Sequence, residues 1–317
     1  MKEILIGLSS ALFFSVTFIL NRSMGLDGGS WIWSASLRFF FMLPILFIIV
    51  GCQKRIGPVF IHIKKQPVAW CVWSTVGFGL FYAPLTFASS YGPGWLVAAT
   101  FQLTIIAGSL LVPFINAKAG DNPTIPLSSI GISSIILIGI FCMQLEHAFS
   151  VPVTDVVLCV LPLVLSAFAY PLGNRKMIQL VNGDLNTFQR MLGMTIASLP
   201  FWVVLSIYGA LKDGMPSTQQ LGQTFIVALS SGIIATVLFF YATEQVKHDN
   251  HKLAAVEATQ SGEVVFALLG ELLLLHAPLP KLLSFIGMAL VIIGMVVHSS
   301  STRTQVKPAK HSSQSHY

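Results

Sequence analysis

Three carboxylates and an amide fall within one apolar stretch, Lys252 to His276: Glu257, Gln260, Glu263 and Glu271. Read as one α-helix turning about 100° per residue, the stretch puts Glu271 about 40° from Glu257, Gln260 about 60° and Glu263 about 120°, so all four share one side. The other flank carries Ala254, Ala258 and Gly262 at intervals of four, small residues that let a neighbouring helix come close. A carboxylate at mid-bilayer costs at least about 2.5–3.5 kcal/mol, so three on one helix imply an inward-facing polar cavity rather than lipid contact. Glu263, near the middle, is the first candidate for chemistry. A carboxyl there could bind a proton on one face of a membrane and release it on the other. The alternative is a glutamic acid kept protonated and hydrogen-bonded to another helix; intramembrane acids are functional by default, which favours the first reading.

The remaining candidates are set by depth. At 1.5 Å per residue, Glu257 and Glu271 lie about 9 and about 12 Å on either side of Glu263. Two arginines sit inside apolar runs, Arg38 and Arg190, and depth allows Glu257–Arg190 and Glu271–Arg38 pairs. Against pairing stands the option that both arginines snorkel to headgroups. Gln102 and Gln260 are mid-depth amides that could line a substrate path or bond across helices. Trp31, Trp33, Trp70, Trp73 and Trp95 lie near span ends, where interfacial anchoring is the expectation, and Trp202 lies deeper, as a weak cavity candidate. Pro44, Pro84, Pro113, Pro162, Pro171 and Pro200 fall within spans and should kink helices, which suits either a moving cavity or static packing.

These groups need elements to hold them. The 317 residues are 54% hydrophobic and 9% charged, with a mean hydropathy of +0.78. Soluble domains carry about 25% charged residues, so the composition is that of a membrane protein. Ten apolar segments, each near the roughly 20 residues a spanning helix needs, cover 4–20, 31–50, 67–88, 95–115, 126–144, 153–172, 187–208, 222–242, 253–275 and 281–298. The first lacks a signal-peptide cleavage pattern and reads as a retained span. The third and fourth are joined by Tyr91-Gly92-Pro93-Gly94, a tight hairpin. A tail from 299 to 317 reads as disordered and cytoplasmic, and His311 and His316 are assigned no metal. With the N-terminus inside, the inner segments hold thirteen Lys and Arg and the outer loops three (Arg22, Lys212, Lys281). That bias puts both termini in the cytoplasm, and makes the net charge of +6 topological rather than a sign of nucleic-acid binding. Cys52, Cys71, Cys142 and Cys159 form no CxxC pair and read as buried small hydrophobes.

The halves repeat. Spans one and six end Asn21-Arg22-Ser23-Met24 and Asn174-Arg175-Lys176-Met177. Spans two and seven carry Arg38 and Arg190, then Pro44 and Pro200; three and eight share Phe81-Tyr82-Ala83 and Phe240-Tyr241-Ala242. Four and nine share Ala99-Thr100 and Ala258-Thr259 with Gln102 and Gln260 beside them, and five and ten share Ile130-Gly131 and Ile286-Gly287, then Gly139 and Gly294. Five spans per half force the second half (151–298) to enter upside down relative to the first (1–150), as in many transporters with a midplane site.

On these residues the chain resembles the ten-span drug/metabolite transporter superfamily, near its multidrug resistance efflux transporter and EamA-like branches, over about residues 4–298. Glu263 with the run Val264–Leu275 fits the family's pattern in the ninth span, and the glycines Gly287 and Gly294 fit its last span. His276 stands where a late family Glu would fall, unless Gly270-Glu271 is that pair displaced by a turn. The small four-span relatives use a Glu in their first helix, whereas this first helix offers only Ser9, Ser10, Ser15 and Thr17. The resemblance implies secondary transport of small organic solutes.

The expectation is therefore an all-α, multi-pass cytoplasmic-membrane protein of ten transmembrane helices in two inverted five-helix repeats. It exports small molecules, drugs or metabolites, with protons as the coupling ion. Its other partners would be the lipid bilayer and, for assembly, a second copy in a homodimer; no cofactor, metal or nucleic acid is expected. Acids favour a cationic substrate, while arginines and glutamines favour a zwitterionic metabolite such as an amino acid. A sensor or complex subunit would be expected to carry long soluble domains, which are absent from the sequence. No P-loop, HExxH, GxSxG or calcium-loop motif points to an enzyme.

Overall fold

A computed structural model of the chain describes residues 1–111, 127–246 and 250–301. The described residues are helical and contain no strand. Six helices are long and apolar enough to cross a membrane: α1 (Lys2–Leu26), α2 (Trp31–Cys52), α4 (Pro67–Ala88), α7 (Val153–Val181), α8 (Thr187–Lys212) and α9 (Thr218–Gln245). Four further helices coincide with the remaining apolar segments: α5 (Gly94–Leu110), α6 (Leu127–Ala148), α10 (Asn250–Ala258 and Gly262–Leu274) and α11 (Leu282–Ser301). Pro113, Lys118, Lys247, Arg303, Lys307, Lys310, His311 and His316 lie outside the described residues.

Four expectations need correcting. The basic loop between the second and third segments holds a helix, α3 (Ile56–Lys65), with Val59 buried and Phe60 and Ile61 exposed. The ninth segment is not one continuous helix, since a 3-10 turn at Thr259–Ser261 divides it. Trp33, Trp70 and Trp95 are buried in protein instead of sitting as free interfacial anchors; Trp70 fills the space that a side chain at Gly193 would need. Only Cys159 of the four cysteines is buried, Cys142 is half-buried, and all four are free thiols.

Apolar side chains such as Val204, Leu273 and Ile48 point outward, while serines and threonines gather inside. Many buried hydroxyls donate to nearby acceptors, as Thr195 does to the Met191 carbonyl, because hydrocarbon offers none. Glycines allow close crossings. A Cβ at Gly139 would lie 2.6 Å from the Gly287 carbonyl oxygen, and one at Gly287 would lie 2.5 Å from the Gly139 carbonyl oxygen, which is how α6 and α11 pack so closely. Gly77 and Gly173 likewise join α4 to α7 backbone to backbone. The expected approach at Gly262 is made by α1, whose Leu8 and Ala11 lie within 4 Å of where a side chain would begin.

Two ends of the bundle can be told apart by their contacts. At the end holding the α1 N-terminus, Gln189 donates to the Arg55 carbonyl and His62 bonds Asp184. At the opposite end, carboxylates cap helix starts. Glu271 accepts from the Gly94 amide at 2.6 Å, at the start of α5. Glu146 accepts from the Lys281 and Ser284 amides, both at 2.7 Å, at the start of α11. Negative charge is favoured there because the first amides of a helix lack partners within it. Arg22 works on the complementary terminus, donating to the Ser89 and Ser90 carbonyls where α4 ends.

Two stability predictions follow from these contacts. Gly173→Val should lower the thermal midpoint of detergent-purified protein by the equivalent of about 3 kcal/mol or more, because the added atoms meet backbone that cannot rotate away. Gly222→Ala, which meets open space, should leave the midpoint within error. Glu146→Ala and Glu271→Ala should each cost about 1–3 kcal/mol by orphaning buried amides, and the glutamine variants, which keep an acceptor, should cost less. Equal midpoints for alanine and glutamine variants would show that the capping bonds do not stabilise the bundle.

Candidate functional site

The helices enclose one large cavity of about 480 Å³ to which both halves of the chain contribute. Glu257, Gln260 and Glu263 line it from α10, Gln102 from α5, Arg38 from α2 and Arg190 from α8. Six of the seven residues singled out by sequence thus share one space. Glu271, the seventh, is not among its lining residues. It points along the same stripe of α10 but sits about 12 Å further along the axis, where the Gly94 amide takes it. The Glu271–Arg38 pairing expected from depth is replaced by two separate arrangements: Glu271 on Gly94, and Arg38 on Thr17 and the face of Tyr82.

Helix irregularities surround the cavity. α5 is interrupted at Gln102, the residue that joins Gly94–Phe101 to Leu103–Leu110. The 3-10 turn of α10 directly precedes Gly262-Glu263 and includes Gln260. Gln260 donates at 3.3 Å to the Gly7 carbonyl of α1, the cross-helix bond that competed with a substrate role for this amide. α4 and α9 each contain a π turn, at Thr75–Gly79 and Ala228–Ile234. Phe78, Ser231 and Gly232 from these turns line the cavity. A π turn widens the helix by one residue and leaves ladder groups offset, an arrangement often found at functional sites.

Arg38 is nine-tenths buried, with 9% of its surface exposed. Its Cζ lies 4.2 Å from the centre of the Tyr82 ring, and Nη1 donates to Thr17 Oγ1 at 3.4 Å. Thr17 in turn donates to Ser231, and Ser231 to the Val227 carbonyl. Sequence reasoning passed over much of the apolar wall: Phe81, Phe101 and Tyr170 cluster with centroids 4.7–6.0 Å apart, Phe101 and Tyr170 edge to face and the other two pairs tilted. Phenylalanine in a membrane span carries no signal that separates a lipid-facing ring from a cavity-facing one. Trp202 stands behind the wall; it is fully buried, stacked 4.4 Å from Phe39, and does not line the space.

The cavity is one-sided. In α1 its lining stops at Phe18, and in α5 it begins at Phe101. Apart from Leu85 near the end of α4, the lining therefore occupies the middle of the bundle and the half towards the α1 N-terminus, where Glu257 and His298 lie. The opposite end is filled by the hairpin between α4 and α5, held by Arg22 and Glu271.

Comparison with known proteins follows the same lines. The family described as "EmrE: Putative multidrug resistance efflux transporter" matches residues 1–304. The chain is 55% identical over 318 residues to the uncharacterized protein YjlA of Bacillus subtilis (strain 168), covering 98% of each. It is 50% identical over 267 residues to an uncharacterized 42.1 kDa protein of Shouchella clausii, covering 83% of this chain and 70% of that one. A solved structure described only as the crystal structure of a protein superposes with a TM-score of 0.60 at 15% identity, covering 96% of this chain and 99% of that one, and so shares the fold. The apolar helices and the match across nearly the whole chain identify a multi-pass membrane protein that belongs to the family described as "EmrE: Putative multidrug resistance efflux transporter".

Proposed function

We propose that this protein is a secondary transporter exporting small organic molecules across the cytoplasmic membrane in exchange for protons, with Glu263 as the proton carrier. The observation that carries the reading is the position of Glu263: it lines the central cavity, immediately after the break in α10. An ionisable group in such a space is reached by solute and solvent from the open side and by no lipid.

The proposed architecture is ten spans in two inverted halves, 1–150 and 151–298. Contacts support it. Exchanging α1 with α7, α2 with α8, α4 with α9, α5 with α10 and α6 with α11 maps the most extensive contacts onto one another, although α1–α2, α1–α5 and α2–α4 have no counterpart of similar extent. α1 packs on α9 and α10 as α7 packs on α4 and α5, while α2–α8 and α6–α11 are self-matching pairs. The helix breaks match as well, at Gln102 and Thr259–Ser261, and so do the π turns that precede the two Phe-Tyr-Ala runs. The thirteen-to-three distribution of basic residues supports cytoplasmic termini, which would make the cavity open to the cytoplasm. Rocking of the halves about the midplane would then expose it to the other side.

The test is a panel of labelled solutes in proteoliposomes under an imposed pH gradient, with wild type beside Glu263→Gln. Wild type should accumulate at least one solute, and the variant, which cannot release a proton, should fall to the level of protein-free vesicles under the gradient. Full gradient-driven flux in Glu263→Gln would rule out the proton role of this residue.

A further inference from the structure

Of the two arginines that line the cavity, Arg38 is the more deeply buried. Arg38 is almost wholly buried, yet among the described residues it makes no ion pair. One nitrogen reaches a neutral hydroxyl at 3.4 Å, and that hydroxyl is already committed, through Ser231, to a backbone carbonyl. Nε has no hydrogen-bond partner among the described residues. The face of Tyr82 at 4.2 Å offsets part of the charge. Glu271, the carboxylate that sequence depth would pair with it, lies outside the cavity and is held by the Gly94 amide. A buried guanidinium costs several kcal/mol unless it is paired, and its planar fork is shaped for a carboxylate. The lining around it is largely aromatic and thioether: Phe14, Phe18, Phe81, Phe101, Tyr170 and Met42. The volume of about 480 Å³ falls in the roughly 300–1,000 Å³ range of small-molecule sites.

We propose that Arg38 is the anion anchor of the cavity, and that the transported molecule carries a carboxylate on a compact apolar or aromatic body. The proposal rests on the carrier reading above and names its substrate class. Nε and the remaining guanidinium hydrogens supply two parallel bonds to the carboxylate. Tyr82 holds the guanidinium plane from below, and the aromatic wall takes the body of the ligand. A hydrophobic cation would find its countercharge in Glu263 and Glu257 but would leave Arg38 uncompensated, so the site as built favours an acid or a zwitterion over a simple cation.

Three probes with the same body separate these classes: 3-phenylpropionate, its methyl ester and 3-phenylpropylamine. Binding is read by titration calorimetry on full-length protein in nanodiscs. On wild type the acid should bind about tenfold or more tighter than the ester, the value of a charged hydrogen bond, and also tighter than the amine. In Arg38→Gln the acid–ester contrast should collapse. In Arg38→Lys, which keeps the charge but not the fork, part of it should remain, so the lysine variant carries the test if the glutamine variant does not fold. An ester that binds wild type as tightly as the acid, or a contrast that survives in Arg38→Gln, overturns the proposal. Solute flux in proteoliposomes without an acid–ester contrast overturns this inference and leaves the carrier. A clear contrast with no flux under any gradient leaves the anion site and overturns the carrier.

Discussion

Hydrocarbon supplies no hydrogen bonds, and this constraint organises the molecule. A backbone amide or carbonyl released from its helix inside the membrane costs several kcal/mol unless protein or trapped water receives it. Helix breaks are therefore affordable only where the chain provides a polar interior. The irregular segments of α4, α5, α9 and α10 all border the same cavity. Gln102 and Gln260 sit within the breaks themselves, so each amide lies beside loosened backbone, and Glu263 follows directly after one of them. Cavity, breaks and intramembrane acid are thus one feature: the polar space makes the break tolerable, and the break aims the acid into the space.

The acidic residues divide by end. Glu146 and Glu271 are spent on helix N-termini away from the cavity, where each carboxylate satisfies buried amides that would otherwise have no partner. Glu257 and Glu263 line the cavity. The division explains how three carboxylates on one stripe of α10 are tolerated: one seals the far end and two face a polar space. It also explains the closed character of that end, where the α4–α5 hairpin is gripped from both sides, by Arg22 on its carbonyls and by Glu271 on its first free amide.

The elements were largely legible in the sequence, because runs of some twenty apolar residues bounded by charge mark where helices begin and end. Pattern grouped Glu257, Gln260, Glu263 and Glu271 on one side, and the first three line one cavity; depth separated Glu271 from the rest, and depth depends on where the neighbouring hairpin Tyr91–Gly94 docks. That docking is a tertiary fact with no local trace. The same limit applies to Trp70, whose position near a span end looked interfacial until the gap left by Gly193 on α8 received it. α3 escaped notice because ten residues with three basic side chains read as a loop when hydropathy is averaged over a span-length window. The aromatic wall was invisible for a different reason. Phenylalanine serves lipid contact, core and cavity with equal propensity, so only packing assigns it.

The two arginines that follow matched asparagines show what one-sidedness means at the level of bonds. In the proposed inverted repeat, Asn21-Arg22 and Asn174-Arg175 occupy equivalent places in the two halves. Arg22 grips the end of α4, whose counterpart in that proposed repeat is α9. Were the two ends of the bundle in the same state, Arg175 would grip the end of α9. It instead donates to the Gly108 carbonyl of α5, a helix in the first half. Under the proposed inverted repeat and transport cycle, such inequivalent partners fit a pair with one end shut and the other open, since a single sequence motif would have to serve both arrangements. On this view the cost of turning the protein around is small. The bonds Arg22 would give up at one end are of the kind that Arg175 would gain at the other, and the net difference between two such states needs to be only a few kcal/mol for a bound solute or proton to shift the balance.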